Sequence, residues 1–264
     1  MTELLNENRV AVISGLRTPF VKPGEIFSDL SASDLGRIVS VELINRTELD
    51  TAEIGSVMFG SVLPAQGTLN IGADIAARAG LPPEAPAFSI SGSSAFLFRS
   101  FIDAASAIKA GDCDTVLCGG TDSVSQYMRS SAELIKNYRS TKDSIGSGET
   151  AYELPWLSGR SSTGYMAEKL AREFGISRQD QDEFSMRSRS LYKKAREEGM
   201  FDEEIIDVFV PPGFEDIISE DMPASGLLTP ESAAGLSTPY DQEYGTVTYA
   251  SRAPLADGAC AILM

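Results

Sequence analysis

A serine-rich turn between a predicted strand and a predicted helix is the strongest candidate for a site of chemistry. Residues 87–98 read Ala-Phe-Ser-Ile-Ser-Gly-Ser-Ser-Ala-Phe-Leu-Phe, so a β-like run passes through small residues directly into an apolar helix. A helix N-terminus favours negative charge, which suits an attacking oxygen and the oxyanion formed on its substrate. The same pattern is typical of a helix cap, in which Ser93 or Ser94 satisfies the first backbone N–H groups. The residues alone leave both interpretations open.

The absence of histidine from the sequence restricts the chemistry. Ser-His, Cys-His and His-metal sites cannot be assembled from these 264 residues. Three cysteines without a histidine also argue against a structural zinc site, so we expect no metal. Any catalytic base must therefore be another residue type or belong to another polypeptide.

The amino-acid composition restricts the kinds of molecule that this chain is expected to bind. The net charge of −16 disfavours binding to nucleic acid or to anionic membrane surfaces. No apolar run approaches the length of a membrane span, and residues 1–8 lack the pattern of a signal peptide. The three cysteines, Cys113, Cys118 and Cys260, predict free thiols in a cytoplasmic protein. We interpret them as small buried hydrophobic residues rather than reactive groups.

The first 121 residues alternate between strand-like and helix-like patterns, and we assign them to an α/β core with a parallel or mixed sheet. The predicted strands span 9–15, 56–62, 87–91 and 114–118. One predicted helix begins near Ser33, and two others span 71–79 and 95–109.

The composition changes after Asp122. Residues 122–240 are rich in Ser, Gly, Pro and charge, and we interpret them as a domain inserted into the sheet. Two helices are predicted within this insertion, over 164–174 and from 178 to 198. Strand-like patterns resume at 244–250 and 259–264, so we assign 241–264 to strands that return to the core sheet.

Several motifs together resemble the N-terminal half of a thiolase of the fatty-acid-oxidation type. They include Arg17-Thr-Pro-Phe, the turn at Ser94, Ala110-Gly-Asp-Cys followed by Gly119-Gly-Thr-Asp-Ser, and Leu255-Ala-Asp-Gly. The resemblance implies a layered α/β/α half with a mixed five-stranded sheet and an inserted loop domain. It also implies that coenzyme A or carrier-protein thioesters are substrates, with no covalently bound cofactor.

The main departure from the thiolase pattern is at Ser94. Thiolases carry a cysteine where the long helix opens, and this cysteine takes the acyl group as a thioester. Counting back from Gly119-Gly120 without a gap places Ser94 at that position. A serine hydroxyl is far less acidic than a thiol and needs a positioned base. In the family the second half supplies a histidine as the base and a second cysteine for proton transfer.

Three further positions that the resemblance places near the substrate also differ. Ser251 occupies the position of a family asparagine, and Arg252 that of a serine that faces the pantetheine. Thr163 replaces a methionine of the acyl pocket wall. The guanidinium of Arg252 could pair with a carboxylate or phosphate of a substrate, block the tunnel, or lie at the surface without a role.

A basic stretch lies within the region that resembles the loop domain and is a further candidate substrate-binding feature. It consists of Arg129, Lys136, Arg139 and Lys142. It could contact a coenzyme A phosphate or the acidic face of a carrier protein, or form a solvated helix face.

These observations support two main hypotheses about function. In the first, the chain is a subunit of a split, divergent acyltransferase in which Ser94 accepts the acyl group and a partner supplies the base. In the second, it is a catalytically silent subunit that stabilises an active partner. A generic small-molecule-binding module explains the ordered motifs least well. Because the closing run 258–264 is apolar, we expect a hetero-oligomer with a chain resembling a thiolase C-terminal half.

Overall fold

The computed structural model describes residues 9–63, 68–92, 95–130, 163–222 and 228–264. The chain divides into two compact units. The sheet unit comprises Met1–Ser130, Asp202–Met222 and Ala256–Met264, and the helical unit comprises Ser131–Phe201 and Pro223–Leu255. The division at residues 121 and 240 remains a prediction about the domains.

The described part of the sheet unit contains seven strands, four α-helices and a 3₁₀ turn at Thr51–Glu53. The strands are β1 (Ser14–Arg17), β2 (Ser56–Ser61), β3 (Ala87–Ser91), β4 (Val116–Asp122), β5 (Val208–Phe209), β6 (Ile217–Ile218) and β7 (Gly258–Leu263). The helices are α1 (Ala32–Thr47), α2 (Ile71–Arg78), α3 (Phe96–Ala110) and α4 (Val124–Ser130).

Among the described residues, five strands form one mixed sheet in the order β1-β7-β4-β2-β3, and β5 and β6 form a separate ribbon. The strands β2, β3 and β4 are parallel, whereas β7 is antiparallel to both of its neighbours. The carboxyl ends of β2, β3 and β4 therefore meet at one edge of the sheet, where a site can be assembled from loops.

Two hydrophobic clusters lie on opposite faces of this sheet. The helices α1 and α2 bury residues such as Leu35, Val39 and Ile75 against one face, and α3 packs Ala104 against the other. Alternation along β7 assigns Ala261 to the first cluster and Ile262 to the second. The predicted α/β/α arrangement with a mixed five-stranded sheet is confirmed.

The sequence-based bounds were wrong for two strands of this unit, whereas its first helix begins within one residue of the predicted place. The N-cap of α1 is Ser31, whose hydroxyl pairs with Asp34 in a capping box, so the helix begins one residue before Ser33. The strand β1 starts at Ser14 rather than at residue 9, because its pairing with β7 begins where Ser14 lies opposite Leu263. The strand β4 does not stop at residue 118 but continues through two glycines to Asp122.

The described part of the helical unit contains α5 (Thr163–Phe174), α6 (Arg178–Glu197) and the short α7 (Pro230–Ala234). The helix α6 begins at residue 178, as the sequence predicts, and Ser177 caps it through a capping box. The strand predicted over 244–250 is not formed, and only a 3₁₀ turn occurs there, at Tyr249–Ser251. Side chains rather than a neighbouring strand satisfy this segment, because Glu168 accepts hydrogen bonds from the N–H groups of Thr246 and Val247.

Candidate functional site

The predicted nucleophile, Ser94, lies outside the described residues, as does Ser93. The two elements that flank them in the sequence form as predicted: β3 ends at Ser91 and α3 begins at Phe96. Whether Ser94 is a nucleophile or a cap stays a prediction.

Phe96, in the first turn of α3, fixes the start of this helix against the sheet. Its ring lies over Gly60 of β2 and Gly120 of β4, which are directly opposite each other in the parallel register. A Cβ atom at either glycine would overlap the ring. The two glycines therefore create the space that lets an aromatic residue bring the N-terminus of α3 close to the strands. Sequence reasoning missed this contact, although a glycine at matching places in two strands is a detectable signal.

A hydrogen bond one turn further along α3 adds to this anchoring. The hydroxyl of Ser100 is buried and donates to the carbonyl of Gly119 at 3.0 Å. Ala95, the N-cap residue of α3, makes no side-chain capping bond. The helix is thus positioned by contacts with the sheet rather than by an N-cap side chain of its own.

Two carboxylates, one half-buried and one fully buried, lie at the same edge of the sheet, and the sequence analysis did not single them out. Asp122 ends β4 and accepts hydrogen bonds from the hydroxyl of Ser61 at 2.8 Å and from the N–H of Leu63 at 3.0 Å. Asp257 precedes β7 and accepts from the N–H and the hydroxyl of Ser125. Burial raises the pKa of both carboxyl groups above the ordinary value. The signal in the sequence that could have identified these two residues is an acidic side chain at or directly beside the end of a buried strand.

These carboxylates hold the loops that leave the edge. Asp122 ties the end of β4 to the residues after β2, and Asp257 ties the start of β7 to α4. Within the described residues, their hydrogen bonds join segments of the sheet unit itself. Their geometry is that of structural supports for the edge.

The cysteines have the properties of unreactive thiols. Cys118 is fully buried, which raises its pKa to about 12. Burial also raises the pKa of Cys113 and Cys260, with the nearby Asp112 adding to the effect at Cys113. Thiols that stay protonated are poor nucleophiles, so the interpretation as small hydrophobic residues is supported.

The remaining predicted substrate-binding residues of the loop-domain region lie mainly in the helical unit. Thr163 is exposed at the first position of α5. Ser251 is engaged locally, since its hydroxyl donates to the carbonyl of Thr248 at 3.1 Å and accepts from the N–H of that residue at 3.0 Å. Arg252 donates from Nη1 to the hydroxyl of Tyr240 and stacks its guanidinium over Tyr249, 5.1 Å from the ring centroid.

One stripe of α5 organises this region. Gly164, Glu168 and Arg172 are spaced by one helical turn and all contact the segment 240–247. A Cβ atom at Gly164 would overlap the ring of Tyr240, and Glu168 is 1% exposed. The stripe holds Tyr240 in place, and Tyr240 in turn orients Arg252.

Of the four residues of the predicted basic stretch, only Arg129 lies among the described residues. Arg129, in the sheet unit, is exposed and pairs with Asp29. Lys136, Arg139 and Lys142 lie outside the described residues, so a shared basic surface stays a prediction. Within the described ranges, no helix is long and apolar enough to cross a membrane.

A family model described as thiolase, N-terminal domain, matches residues 10–264. The chain is 32% identical over 276 residues to a 3-ketoacyl-CoA thiolase of Pseudoalteromonas translucida and 33% identical to one of Shewanella woodyi. Each match covers 97% of this chain and 62% of the relative. The chain thus spans less than two thirds of the length of these relatives.

Solved structures of thiolases are also similar to this chain. The crystal structure of human mitochondrial 3-ketoacyl-CoA thiolase in complex with CoA is similar, with a TM-score of 0.80, 26% identity and coverage of 96% of this chain and 63% of that one. A second crystal structure of the human enzyme has a TM-score of 0.81 at 26% identity, covering 96% and 64% of the two chains. The resemblance inferred from the motifs is confirmed.

Proposed function

The chain belongs to the thiolase family as an N-terminal domain, and from this premise we propose that it is a subunit of a split, divergent acyltransferase acting on acyl thioesters. Coenzyme A or a carrier protein delivers the acyl group. Ser94 accepts it, and a partner polypeptide supplies the base.

The observation that carries this proposal is the place of Ser94 in the sequence, between β3 and α3. The match over residues 10–264 includes this turn, and the strand before it and the helix after it form as the family pattern requires. Anchoring of Phe96 on Gly60 and Gly120 supports a helix N-terminus held close to the sheet, where backbone N–H groups stabilise an oxyanion.

The proposed step is a transesterification. The Oγ atom of Ser94 forms a bond to the thioester carbonyl carbon, and the bond from that carbon to sulfur breaks. The hydroxyl proton passes through the partner's base to the departing sulfur, which leaves as a thiol. The serine ester then passes the acyl group to an alcohol, an amine or a thiol. An ester stabilises an adjacent carbanion less than a thioester does, so simple acyl transfer fits better than thiolytic cleavage.

A partner resembling the remaining part of the thiolase relatives is supported by an apolar surface on α3 and β3. Phe98 and Ile102 lie one turn apart on α3 and are 72% and 54% exposed, and Phe88 on β3 is 49% exposed. Large apolar side chains grouped at a surface mark a binding face. Such a partner would also supply the histidine that this sequence lacks. We propose a hetero-oligomer on these two grounds.

Mass spectrometry of the purified complex tests the enzymatic proposal. Mixed with a panel of acyl-CoA and acyl-carrier thioesters, this chain should gain the mass of one acyl group. Ser94→Ala should abolish the gain, and Ser93→Ala, a matched change next to it, should keep it. The chain without its partner should not be acylated, because an unassisted serine is a weak nucleophile.

The second candidate, a catalytically silent subunit, is favoured by the replacement of three family positions at once, Thr163, Ser251 and Arg252. It predicts that the complex forms and that activity of the partner depends on this chain. No thioester in the panel would then acylate Ser94, and Ser94→Ala would leave the activity of the complex unchanged.

A further inference from the structure

The ribbon of β5 and β6 has two faces with opposite properties. In its antiparallel pairing Val208 lies opposite Ile218, and Phe209 lies opposite Ile217. Val208 belongs to the hydrophobic cluster that contains α1, and Ile218 packs against that cluster. Because successive side chains of a strand point to opposite sides, Phe209 and Ile217 lie on the outer face, where they are 51% and 50% exposed. The ribbon therefore presents two adjacent large apolar side chains to solvent.

The turn between the two strands adds a third exposed apolar side chain. Phe214 is 60% exposed, and its backbone φ is 56°. Two backbone hydrogen bonds hold the turn, from the N–H of Phe214 to the carbonyl of Val210 at 2.9 Å and from the N–H of Val210 to the carbonyl of Asp216 at 3.0 Å. A bulky side chain rarely adopts a positive φ, whereas glycine adopts it without strain. Packing within the fold does not explain a phenylalanine here, since most of the residue is in solvent.

The chain around these three side chains is acidic. Residues 202–222 contain eight Asp and Glu residues and no Lys or Arg. Arg17 of β1 pairs with two of the eight, Glu204 and Asp221. Three others are exposed and lie next to the apolar side chains along the chain: Asp207, Glu215 and Asp216. The ribbon thus combines an exposed apolar face with a surplus of negative charge.

This charge restricts the kind of molecule that can cover the apolar face. An anionic membrane surface or a nucleic acid would be repelled by it. A second copy of this chain, docked through the same face, would bring one acidic segment against another, which is also unfavourable. A polypeptide segment that carries Lys or Arg beside apolar residues matches both the apolar side chains and the charge.

We propose that the outer face of the β5–β6 ribbon, formed by Phe209, Phe214 and Ile217, is a docking surface for a basic amphipathic segment of another polypeptide. The apolar side chains of that segment cover the three exposed ones, and its cations pair with the neighbouring carboxylates. This surface lies on other elements than the apolar surface of α3 and β3. The inference does not depend on the proposed acyl transfer, so either can fail without the other.

Binding of synthetic peptides to the full protein tests the proposal. The main probe is an amphipathic helical peptide of lysine and leucine, about 14 residues or four turns long. A glutamate–leucine peptide of the same pattern tests the charge, and a lysine–serine peptide tests the apolar contact. In isothermal titration at low salt the lysine–leucine peptide should bind ~10-fold tighter or more than either of the others, because only it matches both properties of the surface.

Two further measurements on the same complex locate the binding. With the lysine–leucine peptide bound, amide hydrogen exchange should slow within residues 207–218. Raising the salt concentration should weaken the binding, because salt screens pairs of exposed charges.

Variants of the outer face identify the side chains responsible. Phe209→Ser and Ile217→Ser should each weaken binding of the lysine–leucine peptide ~5-fold or more, as the loss of a central apolar contact does at protein interfaces. Phe174→Ser changes a phenylalanine of α5 that is 70% exposed, and this matched control should bind like the parent protein. Asp207→Asn combined with Asp216→Asn should weaken binding less and reduce its dependence on salt.

Phe214→Gly separates binding from folding. Glycine adopts a φ of 56° without strain, so the thermal midpoint of this variant should lie at or above that of the parent protein. Its affinity for the lysine–leucine peptide should nevertheless fall ~5-fold or more, because the exposed ring is lost. A variant that binds more weakly yet unfolds no earlier than the parent has lost a binding contact and not its fold.

Four results would overturn the proposal. The first is equal binding of the three peptides or binding of none. The second is slowed hydrogen exchange only outside residues 207–218, and the third is unchanged affinity in both Phe209→Ser and Ile217→Ser. The fourth is self-association of the parent protein, measured by light scattering, that Ile217→Ser abolishes, since this would assign the surface to a second copy of the chain.

Discussion

The buried carboxylate of Glu168 accepts a hydrogen bond from the backbone N–H of Val247 at 2.7 Å. The same side chain also accepts from the N–H of Thr246 at 2.9 Å and from its hydroxyl at 3.2 Å. One acidic residue on α5 thus replaces the neighbouring strand that the sequence pattern of 244–250 would otherwise require. It fixes the backbone that leads to Ser251 and Arg252.

Replacing Glu168 by Gln should destabilise the helical unit. The amide keeps one oxygen but turns an –NH₂ group toward backbone donors, which costs about 1–3 kcal/mol for the donor left unsatisfied. Urea unfolding followed by circular dichroism measures the change. Glu173→Gln, at an exposed position of the same helix, is the control and should lie close to the parent protein. Equal stability of the two variants would contradict the assigned role of Glu168.

Gly120→Ala should destabilise the sheet unit through a clash with Phe96. A Cβ atom at this position overlaps the ring, and overpacking of this kind costs about 1–3 kcal/mol. Phe96→Ala in the same chain should recover part of the loss, because the two changes share one contact. Thermal unfolding of both single variants and the double variant gives the coupling. Gly213→Ala is the control, because its added Cβ would meet no atom nearer than 3.9 Å. If the effects of Gly120→Ala and Phe96→Ala simply added in the double variant, the packing of Phe96 on Gly120 would be contradicted.

Asp122→Asn should change how stability depends on pH. Burial raises the carboxyl pKa in the folded state, so the folded protein binds this proton more tightly than the unfolded chain does. The contribution of Asp122 to stability therefore falls as pH rises from the unfolded value, about 3.9, through the raised folded value. The asparagine does not titrate, and its oxygen can still accept from Ser61.

The stability of Asp122→Asn relative to the parent should accordingly increase with pH across that window. Urea unfolding at a series of pH values between about 4 and 8 measures it, since the window opens at the unfolded pKa. Asp112→Asn, at an exposed position, is the matched control. A relative stability of Asp122→Asn that stays flat or decreases with pH would refute the assigned direction of the pKa shift.

The native cysteines should react slowly with a thiol reagent. At neutral pH almost none of Cys118 is thiolate, because its pKa is about 12, and burial raises the pKa of Cys113 and Cys260 as well. Iodoacetamide labelling followed by mass spectrometry should show slow modification in the folded protein and rapid modification in urea. Ser190→Cys, on an exposed face of α6, supplies a reactive reference thiol. Labelling of a native cysteine at the rate of this reference would show that it is a reactive group.

Much of the layered fold follows from local patterns in the sequence. The helix α2 and the strand β3 have the predicted bounds to within one residue, and α6 begins at residue 178 as predicted, after a capping box of Ser177 and Asp180. These elements are encoded locally, by the spacing of apolar residues and by cap residues that act within one turn. The motifs around Ser94 and Gly119 were sufficient to identify the family, because their order along the chain is itself specific.

Other features were decided only by the tertiary structure, because they depend on residues far apart in the chain. The strand β4 continues through two glycines because neither position has room for a side chain. The ring of Phe96 lies against Gly120, and the carbonyl oxygen of Cys260 lies against Gly119. The loop at 246–247 looks like a strand by composition, yet Glu168 satisfies its N–H groups from a helix 78 residues away. The place of the Arg252 guanidinium likewise depends on its hydrogen bond to Tyr240, whose ring packs on Gly164. Spacing in a sequence reports which face a residue occupies, whereas the partner that satisfies a buried polar group is set by the path of the whole chain.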